Sequence, residues 1–340
     1  MKTLRYIAAA LAASIAVIFL CSCTGSVRIP FREMGAVLIS RLFHTELPSY
    51  VEASNASILW SIRIPRVLTA FCVGGALSVC GAVMQSVLQN PLASSYTLGV
   101  SSGASLGAAV AVTLTEQFAV LGIFLLPVFG FGAGLITVFL VLGLSVRIDR
   151  NVQSHTVVLL GMVVSLFANA ILTLVVAISQ EYQQRILLWQ MGSFSGRRWI
   201  HVLILAPVTL LGTVYLTRFH RELDILSFGD EPAMAIGVDT AGIKRRLLAI
   251  ASLLTGCAVC FSGTIGFVDL VVPHIVRRVF GASHRNLLPL SMLFGGSFMA
   301  LADLASRTLL APREIPVGAV TALIGAPFFL LLYFRPSRQT

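Results

Sequence analysis

Apolar runs of about 20 residues recur along nearly the whole chain, separated by short stretches that carry most of its charge. A helix of that length crosses roughly 30 Å of hydrocarbon. The runs lie near 5–22, 67–88, 96–114, 118–145, 156–178, 198–217, 247–263, 264–276, 287–303 and 316–334, which predicts ten membrane-spanning helices. The stretch from Leu247 to Ile275 reads either as one bent helix or as two short ones. Ten spans use roughly 200 residues. In a chain of 340 residues this leaves no room for a separate soluble domain, so residues 1–340 read as a single all-α transmembrane domain.

Composition agrees. The chain is 57% hydrophobic and 11% charged, whereas a soluble domain is about a quarter charged. The net charge of +10 does not point to nucleic acid, because the basic residues are scattered through the inter-span loops. They read as a topology signal. With a cytoplasmic N-terminus and ten spans, Arg147, Arg150, Lys244, Arg245, Arg246, Arg277 and Arg278 face the cytoplasm. Arg63, Arg66 and Arg307 then fall on the outer face, against that signal, and call for a separate reason.

The first run, "LRYIAAALAASIAVIFLCSC", loosely resembles a lipoprotein leader ending at Cys23, but a first span explains the same residues. Cys257 and Cys260 form a CxxC inside an apolar helix with no second pair, the pattern of small-residue packing rather than of a metal or redox site. A faint internal echo aligns "RVLTAFCVGGALSVC" from Arg66 with "RLLAIASLLTGCAVC" from Arg246. In the ten-span topology one copy runs inward and the other outward, as in transporters built from inverted repeats.

No catalytic apparatus emerges. The only lysines are Lys2 and Lys244, and neither follows the glycine that a phosphate-binding loop requires. The six histidines lack metal-ligand spacing. A membrane enzyme would need acids or histidines clustered at one membrane face. An ion-driven secondary transporter would need buried ionisable groups at mid-membrane, for which Asp269 and Asp303 are the candidates. Neither a metal nor a cofactor is expected.

Two junctions stand out. Residues 81–109 end a helix at Asn90-Pro91 and open another with Gly99, Gly103 and Gly107 at four-residue spacing, a face suited either to close helix packing or to lining a path. Residues 220–246, "HRELDILSFGDEPAMAIGVDTAGIKRR", flank Gly229 with apolar Leu223, Leu226, Ala233 and Ile236 among Asp224, Asp230 and Glu231. Such a helix-turn-helix is too polar to span. It reads as a cytoplasmic docking knob or as an ordinary solvated loop.

The blocks "RIPRVLTAFCVGGALSVCGAVMQSVLQNPLASSYTLGVSSGASLG", "GTIGFVDLVVPHIVRRVFGASHRNLLPLSMLFGGSFMALADLASR" and "EIPVGAVTALIGAPFFLLL" resemble those of the FecCD-type permeases. These are the membrane subunits of ABC importers for ferric siderophores, haem and cobalamin. The likeness runs from about Gly25 to Phe334. It implies a type II permease with ten spans and inverted repeats in a bacterial cytoplasmic (inner) membrane. It also implies a second permease copy, foremost an identical one forming a homodimer and otherwise a related partner, and two cytoplasmic ATP-binding subunits that hydrolyse the ATP. An extracytoplasmic substrate-binding protein completes the assembly, and the cargo is a metal chelate, foremost a ferric siderophore.

The same resemblance assigns Arg63, Arg66 and Arg307 to docking of the binding protein, since an arginine can grip a carboxylate with two parallel hydrogen bonds. Replacing Arg63 and Arg66 by Glu is then expected to weaken capture of that protein without disturbing membrane insertion. "GDEPAMAIG" becomes the coupling segment that enters the ATPase, with Asp230, Glu231, Ala233 and Gly237 central, and Ser154 and Thr156 mark the cytoplasmic gate.

Two departures accompany the likeness. Asp269 stands where the family block has a small residue, and Ser94 and Ser95 stand where it often has an acid and a proline. A carboxylate at position 269, near the end of an apolar span, is expected to face water or a partner, for which Arg277 and Arg278 are near in sequence. Asp303 and Arg307, four residues apart, would share a helix face, where a pair is mildly favourable and would leave Arg307 less available for docking; the family likeness places docking first.

Overall fold

The computed structural model describes residues 2–25, 29–114, 122–149 and 151–334. Arg150 and the first residues of the fourth expected span lie outside the described residues. The chain opens with α1 (Lys2–Cys23), the first expected span. Two helices that the apolar pattern did not predict follow, α2 (Phe31–Phe43) and α3 (Ala53–Ile58). They close over the end of α1 through a small core of Cys23, Met34, Val37, Val51, Ala56 and Leu59.

A π-turn over Leu59–Arg63 leads into α4 (Ile64–Val87). Pro65 lacks an N–H and its ring crowds the carbonyl four residues back, so the wider turn accommodates it. From Ile64 to Val87 every residue of α4 except Leu68 and Phe71 is buried, which makes it the central rod of the molecule. Its 24 residues rise about 36 Å, enough to cross the bilayer.

Next come α5 (Val100–Leu114), α6 (Gly122–Ile148), α7 (Ser154–Ile178) and the short α8 (Gln183–Gln190). Gly103 and Gly107 pack α5 onto α6, since a Cβ at either would fall 2.2 Å from an atom of Thr137 or Phe129. Tight packing therefore accounts for these two glycines. α9 (Trp199–Arg218) is followed by α10 (His220–Leu226) and α11 (Asp230–Ala235), the helix-turn-helix expected around Gly229. The remaining helices are α12 (Thr240–Ser262), α13 (Val268–Phe280), α14 (His284–Thr308) and α15 (Val317–Phe334). The stretch from Leu247 to Ile275 is thus two helices, broken at Gly263.

All ten expected spans find a helix. Among the described residues, seven segments are long and apolar enough to cross a membrane, and α5 and α15 are shorter apolar helices. α12 begins at Thr240 rather than near 247, because Lys244 is buried and paired instead of marking a solvated end. The segments of the internal echo become neighbouring helices, with the Cys80 thiol of α4 donating to Ala251 O of α12 at 3.1 Å.

α4 packs on α14, α12, α13 and α9. Against α14 the two backbones nearly touch, since a Cβ on Gly74 would lie 2.3 Å from Gly295 O. Against α13 the approach is closer still: a Cβ on Gly81 would lie 1.9 Å from Asp269 O. Lipid offers no hydrophobic drive between helices, so such small-residue contacts carry the association.

Candidate functional site

The two ends of α4 carry the polar chemistry. At the first end, Arg66 is held by two carboxylates from remote parts of the chain. Its Nε donates to Asp303 Oδ1 at 3.0 Å and its Nη2 to the same oxygen at 2.8 Å. Nη1 and Nη2 donate to Glu314 Oε1 and Oε2 at 2.7 and 3.0 Å. Asp303 is fully enclosed, whereas the Glu314 side chain is 40% exposed. The turn between α14 and α15 folds back to bring Glu314 there, with Ser306 Oγ donating to Ile315 O and Ile315 N to Ser306 O.

Arg63 and Arg307 serve a different end of chain. Arg63 Nη1 donates to Ser22 O at 3.2 Å and Cys23 O at 3.0 Å, and Arg307 Nη2 donates to Cys21 O. These are the last carbonyls of α1, which have no partner within the helix and carry the negative end of its dipole. Gly25 lets the chain pass, since a Cβ there would sit 3.0 Å from Arg63 Nη2. The expected Asp303–Arg307 pair is present at 3.5 Å, but it is the longer of the Asp303 contacts. Arg63 and Arg66 are therefore only 5% and 7% exposed, and both are engaged within the chain.

The opposite end of α4 meets the coupling segment. Gln89, just past its C-terminus, donates to Asp230 Oδ1 at 2.9 Å. Lys244 Nζ donates to Asp230 Oδ2 at 2.6 Å and lies 3.5 Å from Ser154 Oγ, which in turn donates to Val87 O. Two of the expected residues, Asp230 and Ser154, are thereby brought together by a third, Lys244, that sequence reading placed only by charge. Thr156 stands in the first turn of α7 and is not a member of this network.

Beside it, Asp224 Oδ1 accepts from the His284 backbone N at 2.8 Å and from its ring Nδ1 at 2.6 Å, capping the start of α14. The ring's Nε2 lies 2.6 Å from Ser86 Oγ of α4. Ser86 also contacts Ala82 O of its own helix, as buried serines in helices do.

Within the coupling segment Ala233 is buried, and Gly237, with φ of 86°, ends α11. Its N–H bonds Met234 O while Val238 N bonds Ala233 O, a Schellman ending that needs a left-handed residue. Glu231 is exposed, as are Phe228 (83%), Ile236 (65%) and Met234. Ile236 lies just past α11 and is exposed, unlike the buried Leu223, Leu226 and Ala233.

Asp269 has found partners other than Arg277 and Arg278. Its Oδ2 accepts from Ser94 Oγ at 2.5 Å, Ser95 N at 2.8 Å and Ser95 Oγ at 2.8 Å. The two departures from the family pattern thus meet each other. Arg277 lies about 12 Å further along α13 and donates to Gln85 Oε1 at 2.8 Å instead. Among the described residues no cluster of metal-ligating side chains forms, and the CxxC cysteines are buried in the core.

The match to the FecCD transport family model covers residues 13–335. The chain belongs to the FecCD transport family. The permease is 42% identical over 325 residues to YvrB of Bacillus subtilis (strain 168), an uncharacterized ABC transporter permease, covering 96% of this chain and 92% of that protein. It is 41% identical over 275 residues to the cobalamin import system permease BtuC of Halobacterium salinarum, covering 81% of this chain and 73% of that one. Among solved structures it resembles a chain described as a metal-chelate type ABC transporter in an inward-facing conformation. There the TM-score is 0.83 at 29% identity, over 98% of this chain and 99% of that one. It is a multi-pass permease subunit of an ABC importer in the cytoplasmic membrane, and its regular elements among the described residues are all helices.

Proposed function

We propose that the permease forms, with a second identical copy, the path for a metal chelate, foremost a ferric siderophore. An extracytoplasmic binding protein delivers the cargo to the end of α4 that carries Arg63, Arg66 and Arg307, and two ATP-binding subunits dock at the other end and hydrolyse ATP. The observation that carries this reading is the polarity of α4. One end holds an arginine cluster with an exposed carboxylate, and the other holds a charged segment that presents Phe228, Met234 and Ile236 to solvent.

Exposed apolar side chains on a segment too polar for lipid fit a groove on a soluble partner. Asp230, Glu231, Ala233 and Gly237 build that knob, with Glu231 and Gly237 at its surface, Ala233 buried beneath and Asp230 tied to Lys244. Closure of the ATP-binding subunits would push the knob, and Ser154 and Thr156 at the start of α7 gate the inner mouth. Hydrolysis is needed because binding shifts an equilibrium only by its differential affinity for the two states.

The second copy has a suitable surface. α7 is the least buried of the long helices, at 22%, and exposes Leu159, Met162, Val163, Leu166 and Phe167. A cleft of about 450 Å³ lies between it and the 90–97 turn, lined by Leu92, Tyr96, Met162 and Ser165 among others.

Cobalamin is the second reading of the cargo, favoured by the 41% identity to a cobalamin import permease. ATP-dependent uptake into proteoliposomes containing the permease, its ATP-binding subunit and its binding protein tests the proposal. Accumulation of a labelled ferric siderophore only with ATP is the expected result. Uptake of cobalamin alone would replace the cargo, and uptake without the ATP-binding subunit would overturn the reading.

A further inference from the structure

We infer that His284 and Lys244 are positioning residues that transmit movement of the coupling segment to the paired rods α4 and α14. The inference rests on the function proposed above and names the path by which that function would run. α4 and α14 lie in contact along their length, with Gly74 against Gly295, and antiparallel, so each presents one end to either face. The pair is pinned at both ends. At the outer end Arg66 of α4 holds Asp303 of α14 at 2.8 Å. At the inner end Ser86 of α4 holds His284 of α14 at 2.6 Å.

The coupling segment grips this inner pin with two acids. Asp224 caps the first residue of α14 and bonds the His284 ring, so any shift of α10 drags the α14 terminus and, through the ring, Ser86. Asp230 bonds Gln89 beyond the end of α4 and is clamped by Lys244, which is 1% exposed. Lys244 anchors the clamp in α12 and reaches toward Ser154 at the start of α7, so one displacement of α11 bears on three spans. Charge-assisted bonds suit this task, being short and directional. Helix rods packed at van der Waals contact move as units rather than deforming.

The test uses the complete transporter in proteoliposomes, with both ATP-binding subunits and the binding protein, and reads cargo transported per ATP hydrolysed. His284→Ala and Lys244→Met are expected to lower that ratio about tenfold, the shift that losing one charge-assisted hydrogen bond produces. They should also abolish the rise in ATP hydrolysis on docking of the binding protein, while basal hydrolysis by the partner subunits is retained. Lys244→Arg, which keeps the charge on Asp230, should restore most of the ratio, a rescue that a merely space-filling role would not show. Ser86→Ala removes only a hydroxyl from the inner pin and should lower the ratio by a smaller factor, which keeps the test open if the larger changes block assembly. Wild-type coupling in assembled Ser86→Ala and Lys244→Met would overturn the inference. Absence of ATP-driven uptake in the unsubstituted transporter would instead overturn the function on which it rests.

Discussion

Glu314 grips Arg66 with two hydrogen bonds of 2.7 and 3.0 Å while leaving its own carboxylate 40% exposed. The arginine that the family likeness assigns to a partner's acid is thus already occupied by an acid of this chain, at the rim where that partner would arrive. Removing the internal competitor should favour the external one. Glu314→Gln is expected to tighten binding of the substrate-binding protein by up to about fivefold, the equivalent of about 1 kcal/mol for an ion pair with one partly exposed partner. Surface plasmon resonance on the purified permease complex measures it, and weaker binding would mean that Glu314 supports docking instead.

Arg66 itself is a poor probe of docking. Its replacement by Glu would leave Asp303, which is 0% exposed, near Glu314 and a new acid, with the longer 3.5 Å contact to Arg307 still in place. Breaking a buried pair costs about 3–5 kcal/mol. Weakened capture by such a variant must therefore be separated from a loss of fold stability. Arg66→Glu should lower the thermal unfolding midpoint of the detergent-solubilised permease, and Arg66→Glu with Asp303→Lys should recover part of the loss.

Asp269 and the serine pair make a second coupled set. Three donors converge on one carboxylate oxygen. Replacing Ser94 and Ser95 by Ala leaves the carboxylate with the Ser95 backbone N–H alone and should cost about 1–3 kcal/mol. In the Asp269→Gly background the same two substitutions should cost much less. A double-mutant cycle on unfolding midpoints checks this, and additive effects would show that the contact carries no energy.

The apolar runs marked where the long helices lie, and the end of α4 before Pro91 follows from residue types, whereas the break at Gly263 was left open between one bent helix and two. What escaped has a common cause: partners far apart along the chain. Arg66 and Asp303 are 237 residues apart, and Asp269 and Ser94 are 175 apart. Local spacing offered Arg307 for the first acid and Arg277 for the second, and in both cases a remote segment, α4 for Asp303 and the 90–97 turn for Asp269, presents the stronger partner. α2 and α3 were missed because their apolar residues form short stripes in a polar stretch rather than a run. Lys244 looked like a loop charge because sequence cannot show that Asp230, fourteen residues earlier, folds back onto it.

The exposed knob yields a cleaner substitution. Phe228 is 83% and Ile236 65% exposed. Changing either to Asp should leave the unfolding midpoint of the isolated permease within about 0.5 kcal/mol equivalent. Co-purification of the ATP-binding subunit should fall sharply. Normal co-purification of both variants would remove these side chains from the interface.

The central claim is that the arginine cluster and the coupling segment face opposite sides of the membrane, joined by the 24 residues of α4. All six native cysteines are buried, so a membrane-impermeant maleimide can report single introduced thiols. The direct measurement compares Arg313→Cys and Glu231→Cys, both at exposed positions, in right-side-out and inverted vesicles. The account predicts labelling at 313 only in right-side-out vesicles and at 231 only in inverted ones. Labelling of both positions from the same side would contradict it.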